Sequence, residues 1–138
     1  MYYEFTDDLK TGNTTIDSEH RTLIKAANDA LQAIKQGKGI QELESTVAFL
    51  ASYTKTHFGN EGSLQDKYEY PDRRRHKLWH ESYIRDIELT YSRLQKEGTS
   101  PVLVSELERR IVILISHIKE QDTKVAAHIQ MCIDNNHS

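Results

Sequence analysis

The sequence predicts an all-α protein, an up-down-up-down antiparallel four-helix bundle preceded by an N-terminal leader. Apolar residues recur at three- and four-residue intervals in four long segments. The 138 residues contain only two prolines and six glycines, so few residues interrupt these segments. The connections between the segments are short, and short connections place neighbouring helices antiparallel.

The leader covers residues 1–15, and its aromatic side chains are able to pack on the bundle: Tyr2, Tyr3 and Phe5. The first helix covers residues 17–36. Thr15 or Asp17 can cap its first turn, and Gly37-Lys38-Gly39 ends it.

Proline and glycine delimit the other three helices. They cover residues 40–68, 72–97 and 101–133. The second helix ends at Tyr70-Pro71, because the residue before a proline avoids the α conformation. The third stops at Gly98, and the fourth follows Ser100-Pro101, a capping residue with proline at the first helical position.

Composition limits the classes of function. The net charge is −3 with both signs spread along the chain, which gives no electrostatic case for binding nucleic acid or an anionic membrane. No apolar stretch approaches the roughly 20 residues of a membrane span. The acidic, polar N-terminus does not resemble a signal peptide. We therefore expect one domain over residues 1–138, located in the cytoplasm.

The single cysteine, Cys132, excludes an internal disulfide and suits a reducing compartment. Because Ile129 and Ile133 flank it, we expect a buried, inert thiol. Two histidines near this cysteine are expected to be exposed, His128 on the solvent face of the last helix and His137 in a frayed tail.

Several titratable residues lie on otherwise apolar helix faces, and this unusual placement indicates a functional site. Five of the seven histidines fall on such faces, distributed over all four helices: His20, His57, His76, His80 and His117. A single histidine there is usually a hydrogen-bonded core residue. Burying five imidazoles without partners would be costly, and a metal ion supplies the partner.

The spacing strengthens the prediction of a metal site. His57 and Glu61 are four residues apart, and so are His76 and His80. Residues at this spacing lie one above the other on a helix face, within about 6 Å, so each pair can reach one cluster. The glutamate–histidine motif of ferritin-like sites is absent, because no histidine has a glutamate three positions earlier.

Four motifs carry these residues, and together they resemble the hemerythrin family, in particular its bacterial members. They are Ile16-Asp17-Ser18-Glu19-His20, His57-Phe58-Gly59-Asn60-Glu61, His76-Lys77-Leu78-Trp79-His80 and His117-Ile118-Lys119-Glu120-Gln121-Asp122. Tyr70-Pro71 before the third helix agrees with this resemblance. It covers nearly the whole chain, and seven residues in this order are far more specific than any pair.

The resemblance implies a non-haem di-iron centre, with two iron ions joined by an oxide or hydroxide. The ligands it implies are His76, His80 and His117 on one iron, His20 and His57 on the other, and Glu61 and Asp122 bridging the two. Two departures from bacterial relatives concern packing. Gly62 stands where many have a second glutamate, and Tyr3 or Phe5 stands where they often carry tryptophan.

This ligand set leaves about one coordination position open. Two six-coordinate ions offer about twelve positions, of which five histidines, two bridging carboxylates and one bridging oxygen fill about eleven. The open position falls on the iron with two histidines, and an open position distinguishes a binding site from a structural one. Because imidazole is neutral, this ligand set should favour high-valent iron less than a carboxylate-rich set does. Reversible dioxygen binding follows as the hypothesis, and the family implies it too.

A small, dry pocket is expected beside the open position. Apolar residues that adjoin the ligands in sequence would form it: Leu23, Ile24, Phe58, Leu114 and Ile118. Excluding water from such a pocket suppresses side reactions. The expected partners are dioxygen and an electron donor that re-reduces the iron.

The last two ligands have an unusual spacing. His117 and Asp122 are five residues apart, or about 140° around a regular helix. Either Asp122 approaches from the side, or the helix contains a π-type turn. We predict a distorted hydrogen-bond ladder between Leu114 and Asp122.

Three other functions stay open. A di-iron sensor would bind dioxygen and pass a conformational change to another domain. A redox enzyme acting on peroxide or nitric oxide would need rapid electron delivery, for which Tyr53, Tyr68 and Tyr83 are candidates, although tyrosines more often pack in cores or interfaces. An iron store, or a zinc or manganese site, is the third, since imidazole suits several metals. We assign no catalytic residue and expect a binding protein, not an enzyme.

Overall fold

The computed structural model describes residues 3–37 and 40–136, except for the side chain of Ile40. The elements in this part of the chain are a 3-10 turn at Asp7–Leu9, α1 at Thr14–Lys35, α2 at Ile40–Lys67, α3 at Arg73–Glu97, α4 at Pro101–His117, a π turn at Ile118–Asp122 and α5 at Thr123–Asn136. The chain runs from α4 through the π turn into α5 without a loop, so these three elements form the fourth helix of the bundle.

Each helix packs against the next in sequence, and the fourth helix closes the bundle against α1 and α2. Their inner faces form an apolar core, whose fully buried members include Leu23, Leu50, Ile87 and Ile111. The predicted all-α, up-down-up-down bundle is confirmed. Among the described residues, no helix is both long and apolar enough to cross a membrane.

The beginning of α1 differs from the prediction, which placed the cap at Thr15 or Asp17. The helix begins at Thr14, and Asn13 caps it, because Asn13 Oδ1 accepts a hydrogen bond from the backbone N–H of Ile16 at 3.0 Å. The predicted cap was wrong because Asp17 is buried inside the first turn and has other partners.

Those partners belong to the leader. The Asp17 carboxylate accepts hydrogen bonds from Thr11 N and Thr11 Oγ1 at 2.9 and 2.7 Å. Farther back, Tyr3 and Asn28 exchange two hydrogen bonds, from Tyr3 N to Asn28 Oδ1 and from Asn28 Nδ2 to Tyr3 O. The leader is thereby fastened along α1, and two of its aromatic residues pack on the core: Tyr3 and Phe5. Tyr2 lies outside the described residues.

The last helix contains the predicted distortion. Residues Ile118–Asp122 form a π turn between two regular helices, which confirms the irregular ladder expected before Asp122. The helix continues to Asn136, three residues beyond the predicted end at Ile133.

The last helix is also tied to the end of α2. His128 is half-buried, and its Nε2 donates a hydrogen bond to the carbonyl oxygen of Tyr68 at 2.8 Å. Cys132 is half-buried as well, with its Sγ 3.5 Å from His128 Nε2. The expectations of an exposed His128 and a buried Cys132 were both wrong. A carbonyl just after a helix end lacks an intrahelical partner and binds the imidazole, and the thiol lies beside that imidazole at the same half-buried position. His137 lies outside the described part of the chain.

Candidate metal centre

The seven residues predicted as metal ligands lie together inside the bundle. His20 comes from α1, His57 and Glu61 from α2, His76 and His80 from α3, His117 from α4 and Asp122 from the π turn. None is more than 6 % exposed. Charged and imidazole side chains are rarely buried so completely unless they are paired or bind a metal.

Helix geometry explains how the pairs converge. In α3 the four-residue spacing places the rings of His76 and His80 4.3 Å apart. The five-residue spacing of His117 and Asp122 would point them in different directions on a regular helix. The π turn contains an additional residue per turn, and Asp122 Oδ1 lies 3.1 Å from His117 Nε2. The distortion of the helix thus brings the last carboxylate inward.

The ligand atoms form two groups, in each of which they lie within 4.8 Å of one another. The three-histidine group contains Glu61, His76, His80, His117 and Asp122, and the two-histidine group contains His20, His57, Glu61 and Asp122. Both carboxylates belong to both groups. The structure therefore divides the histidines as the family resemblance implies.

Each carboxylate directs one oxygen toward each group. Glu61 Oε1 lies 2.8 Å from His76 Nε2, and its Oε2 lies 3.4 Å from His57 Nε2. Asp122 Oδ1 lies 3.3 Å from His76 Nε2, and its Oδ2 lies 3.4 Å from His57 Nε2. Carboxylates placed in this way could each bind two metal ions, one on either side.

Several of these buried atoms fit a metal better than they fit one another. His80 Nε2, Glu61 Oε2 and Asp122 Oδ1 have no hydrogen-bond partner, although such a loss costs about 1–3 kcal/mol per group. The Nε2 atoms of His76 and His117 are 2.9 Å apart. Neighbouring ligands of an octahedral ion with bonds of about 2.1 Å lie about 3 Å apart, so these separations suit ligands around a cation.

Without a metal ion, protons must occupy part of this cluster. Burial lowers the pKa of His57, but its close contacts with three surrounding carboxylates outweigh burial and raise the pKa to about 11. Burial is outweighed in the same way at His76, whose pKa rises to about 9. Burial and the charge of His76 lower the pKa of His80 to about 2. A metal ion would displace the protons of the first two histidines, so its binding is coupled to proton release.

Three residues to which the sequence analysis gave no role support the ligands: Glu19, Asn60 and Gln65. His57 Nδ1 donates to Glu19 Oε1 at 2.7 Å, and Asn60 Nδ2 donates to Glu19 Oε2 at 2.7 Å. Gln65 Nε2 donates to Glu61 Oε1 at 3.3 Å. A ligand histidine held in this way keeps its ring orientation and tautomer. Two features of the sequence could have identified supporting residues. Glu19 directly precedes a ligand, and Gln65 is four residues from Glu61.

Aromatic rings pack on the three-histidine group. Phe58 lies parallel to His80, and Trp79 lies parallel to His117, with ring centroids 3.7 Å apart in both pairs. The ring of Phe58 is 5.9 Å from that of His57. The closest ring contact of Phe58 is therefore with the three-histidine group, whereas the dioxygen pocket was predicted beside the two-histidine group.

The other residues of the predicted pocket belong to the buried core: Leu23, Ile24, Leu114 and Ile118. None is more than 4 % exposed. Such residues keep water out of the interior of the bundle. Their contact with dioxygen stays a prediction.

No family model matches the chain. It is 32 % identical over 117 residues to a bacteriohemerythrin of Pseudomonas paraeruginosa, covering 84 % of this chain and 74 % of that protein. A bacteriohemerythrin of Stenotrophomonas maltophilia is 31 % identical over 127 residues, covering 90 % and 79 % of the two chains. One of Clostridium acetobutylicum is 26 % identical over 120 residues, covering 84 % and 92 %. Since this similarity spans most of each protein, the chain belongs to the hemerythrin family.

Proposed function

We propose that the buried cluster holds two iron ions and that the protein binds dioxygen reversibly. The unequal size of the two ligand groups carries this proposal. The three-histidine group has five ligand residues and the two-histidine group has four, with Glu61 and Asp122 counted in both. With the same bridging groups on both sides, the second metal has one protein ligand fewer and can accept an external molecule.

The composition of the cluster supports iron and dioxygen over a structural ion. Two ferrous ions would supply the electrons that dioxygen binding needs. Five of the seven ligand residues are histidines, which are neutral as ligands, so Glu61 and Asp122 alone contribute negative charge. A set with few anionic ligands stabilises highly oxidised iron less than a carboxylate-rich set, which favours binding over oxidation.

The residues around the ligands support the same function. Leu23, Leu114 and Ile118 are fully buried and exclude water. Glu19 accepts the Nδ1 proton of His57 and so leaves its Nε2 free to face the metal. We assign no acid or base to a chemical step and therefore propose a binding protein rather than an enzyme.

The test is to load the purified protein anaerobically with ferrous iron, measure its iron content, and record its visible spectrum through repeated exposure to oxygen and its removal. We expect about two iron ions per chain and a blue-green absorption band that appears with oxygen and disappears without it. His20→Gln should lose the band. The matched variant His128→Gln, whose histidine lies outside the cluster, should keep it.

A band that appears once and decays to a stable ferric spectrum would contradict reversible binding and favour a redox enzyme. Protein that retains zinc or manganese but no iron would contradict the iron assignment itself.

A further inference from the structure

A groove runs along the outside of the three-histidine group, between α2 from Lys55 to Asp66 and α3 with the residue range 73–85. Its volume is about 490 Å³, within the roughly 300–1,000 Å³ typical of small-molecule sites. Three buried residues line it: Phe58, Gln65 and His80. This α2–α3 groove therefore reaches a ligand of the metal centre and the amide that supports Glu61.

Two glycines keep the α2–α3 groove open. Gly59 and Gly62 lie in the interior of α2, three residues apart on the face that lines it. A Cβ at either position would meet no atom within 4 Å, so packing does not require glycine there. Glycine is also unfavourable inside a helix relative to alanine. Their effect is to leave space, which a larger side chain would fill.

The rim of the groove is positively charged. Four basic residues line it against two acidic ones: Lys55, Arg73, Lys77 and Arg85, with Asp66 and Glu81. Arg73 Nε lies 4.0 Å from Asp66 Oδ1, so the charges of these two residues largely cancel. Four positive and two negative charges give +2 at the rim, whereas the whole chain carries −3. Positive charge is therefore concentrated at this groove and would attract an anion.

We propose that the α2–α3 groove binds a small aromatic anion, with its flat body over the floor at Phe58 and Ile84 and its acidic group at Lys77. Sites of this kind combine apolar lining with a few charged groups that fix orientation. This binding is separate from dioxygen binding and does not depend on it.

Three probes separate the parts of this proposal. Flavin mononucleotide has a planar ring and a phosphate, riboflavin has the same ring without the phosphate, and inorganic phosphate has the charge without the ring. In calorimetric titrations of the iron-loaded protein, we expect flavin mononucleotide to bind at least about tenfold more tightly than either of the others. Equal affinity for flavin mononucleotide and riboflavin would overturn the proposal, and so would equal affinity for phosphate alone.

Variants locate the site. Gly62→Leu should fill the groove and abolish binding of flavin mononucleotide, whereas Gly62→Ala should retain it. Lys77→Glu should weaken binding at least about tenfold. Lys96→Glu makes the same change on the same helix, about 28 Å away by the rise of a helix, and should leave the affinity unchanged.

Binding that survives both Gly62→Leu and Lys77→Glu would place the anion elsewhere and overturn the proposal. The oxygen-dependent spectrum of each variant is recorded in parallel. A reversible spectrum with no binding of flavin mononucleotide to the unmodified protein would refute the groove alone, and binding without a reversible spectrum would refute the proposed function alone.

Discussion

The two ligand groups of the metal centre are held in place by different forces. In the three-histidine group, aromatic rings lie flat against the imidazoles, Phe58 on His80 and Trp79 on His117. These contacts are extensive and carry no charge. They fix the planes of the rings by packing, in the way that the rest of the core is fixed.

In the two-histidine group, a hydrogen bond to a charged residue holds one of the two imidazoles. The outer nitrogen of His57, Nδ1, donates a hydrogen bond to Glu19, which accepts a second one from Asn60. The outer nitrogen of His20, Nδ1, is buried and has no hydrogen-bond partner. A carboxylate behind an imidazole raises its basicity as a ligand, which stacking by a neutral ring does not do.

Under the proposed function, this difference would separate two tasks. Packing would suit a metal ion with the full set of protein ligands, because only its position must be kept. Charge would suit a metal ion with one ligand fewer, because its electronic character would decide how it treats an external molecule. Four experiments test this distinction.

The largest effect is expected from removing a ligand that both groups share. Asp122→Ala should abolish binding of both metal ions, because Asp122 contacts histidines of each group. His20→Ala, its matched control, should lose only the metal of the two-histidine group and keep about one ion per chain, since His20 belongs to that group alone. Metal content after gel filtration distinguishes them. Equal loss in the two variants would mean that the groups are not separable.

The next effect concerns packing in the three-histidine group. Phe58→Ala should lower the free energy of unfolding of the metal-free protein by about 3–5 kcal/mol, because Phe58 is 5 % exposed and its loss leaves a cavity. Phe49→Ala is the matched control on the same helix. Phe49 is 52 % exposed, so the change should stay below about 1 kcal/mol. Urea unfolding measures both, and similar losses would contradict a packing role specific to Phe58.

The third prediction concerns pH and involves one histidine from each group. The pKa of His57 is raised to about 11 and that of His76 to about 9 in the metal-free protein. A raised pKa contributes stability that is complete below the unfolded value of about 6.5 and is lost as pH rises. The lowered pKa of His80 affects stability only below the unfolded pKa of about 6.5. Stability of the metal-free protein should therefore fall from about pH 6.5 upward, to about pH 9 for the contribution of His76 and to about pH 11 for that of His57.

Metal binding should reverse this slope, because the ligands must lose their protons to bind a cation. Urea unfolding at several pH values in this window, with a chelator and with saturating metal, provides the measurement. The difference in stability between the two forms should widen as pH rises. Parallel curves would show that the cluster is not protonated as described.

The helices and the inward histidines could be predicted because both depend on spacing within one segment, whereas the full ligand set, with Asp122 in it, came from the family resemblance. The four-residue pairs follow from helix periodicity. Once the resemblance makes His117 and Asp122 ligands, the same periodicity predicts the distorted turn between them. The cap of α1 could not be chosen in this way. Asn13, Thr14, Thr15 and Asp17 can all cap a helix, and the outcome depends on Asp17 being buried against the leader.

The supporting contacts were not predictable for a related reason. Glu19 meets His57 across 38 residues of chain, and His128 meets the carbonyl of Tyr68 across 60. Such contacts depend on how two helices are rotated against each other, which periodicity within either helix does not determine. The stacking of Trp79 on His117 is of the same kind.

The smallest expected effect tests the charge behind the two-histidine group. Glu19→Gln keeps an oxygen that can accept the proton of His57 but removes the negative charge, so the ring should stay in place while its basicity falls. We expect about 10- to 100-fold weaker binding of the second metal ion, with little change at the first. Glu88→Gln neutralises an exposed glutamate on α3. It is the matched control and should change neither affinity.

Stepwise metal titration of the metal-free protein separates the two affinities. If Glu19→Gln weakens both sites equally, Glu19 acts through the fold and the contrast between the groups fails. If only the weaker site shifts, and the spectrum of the oxygenated protein shifts with it, the charge of Glu19 tunes the metal that carries the open position. Packing around the three-histidine group could not produce that pattern, because Phe58 and Trp79 are unchanged in the variant.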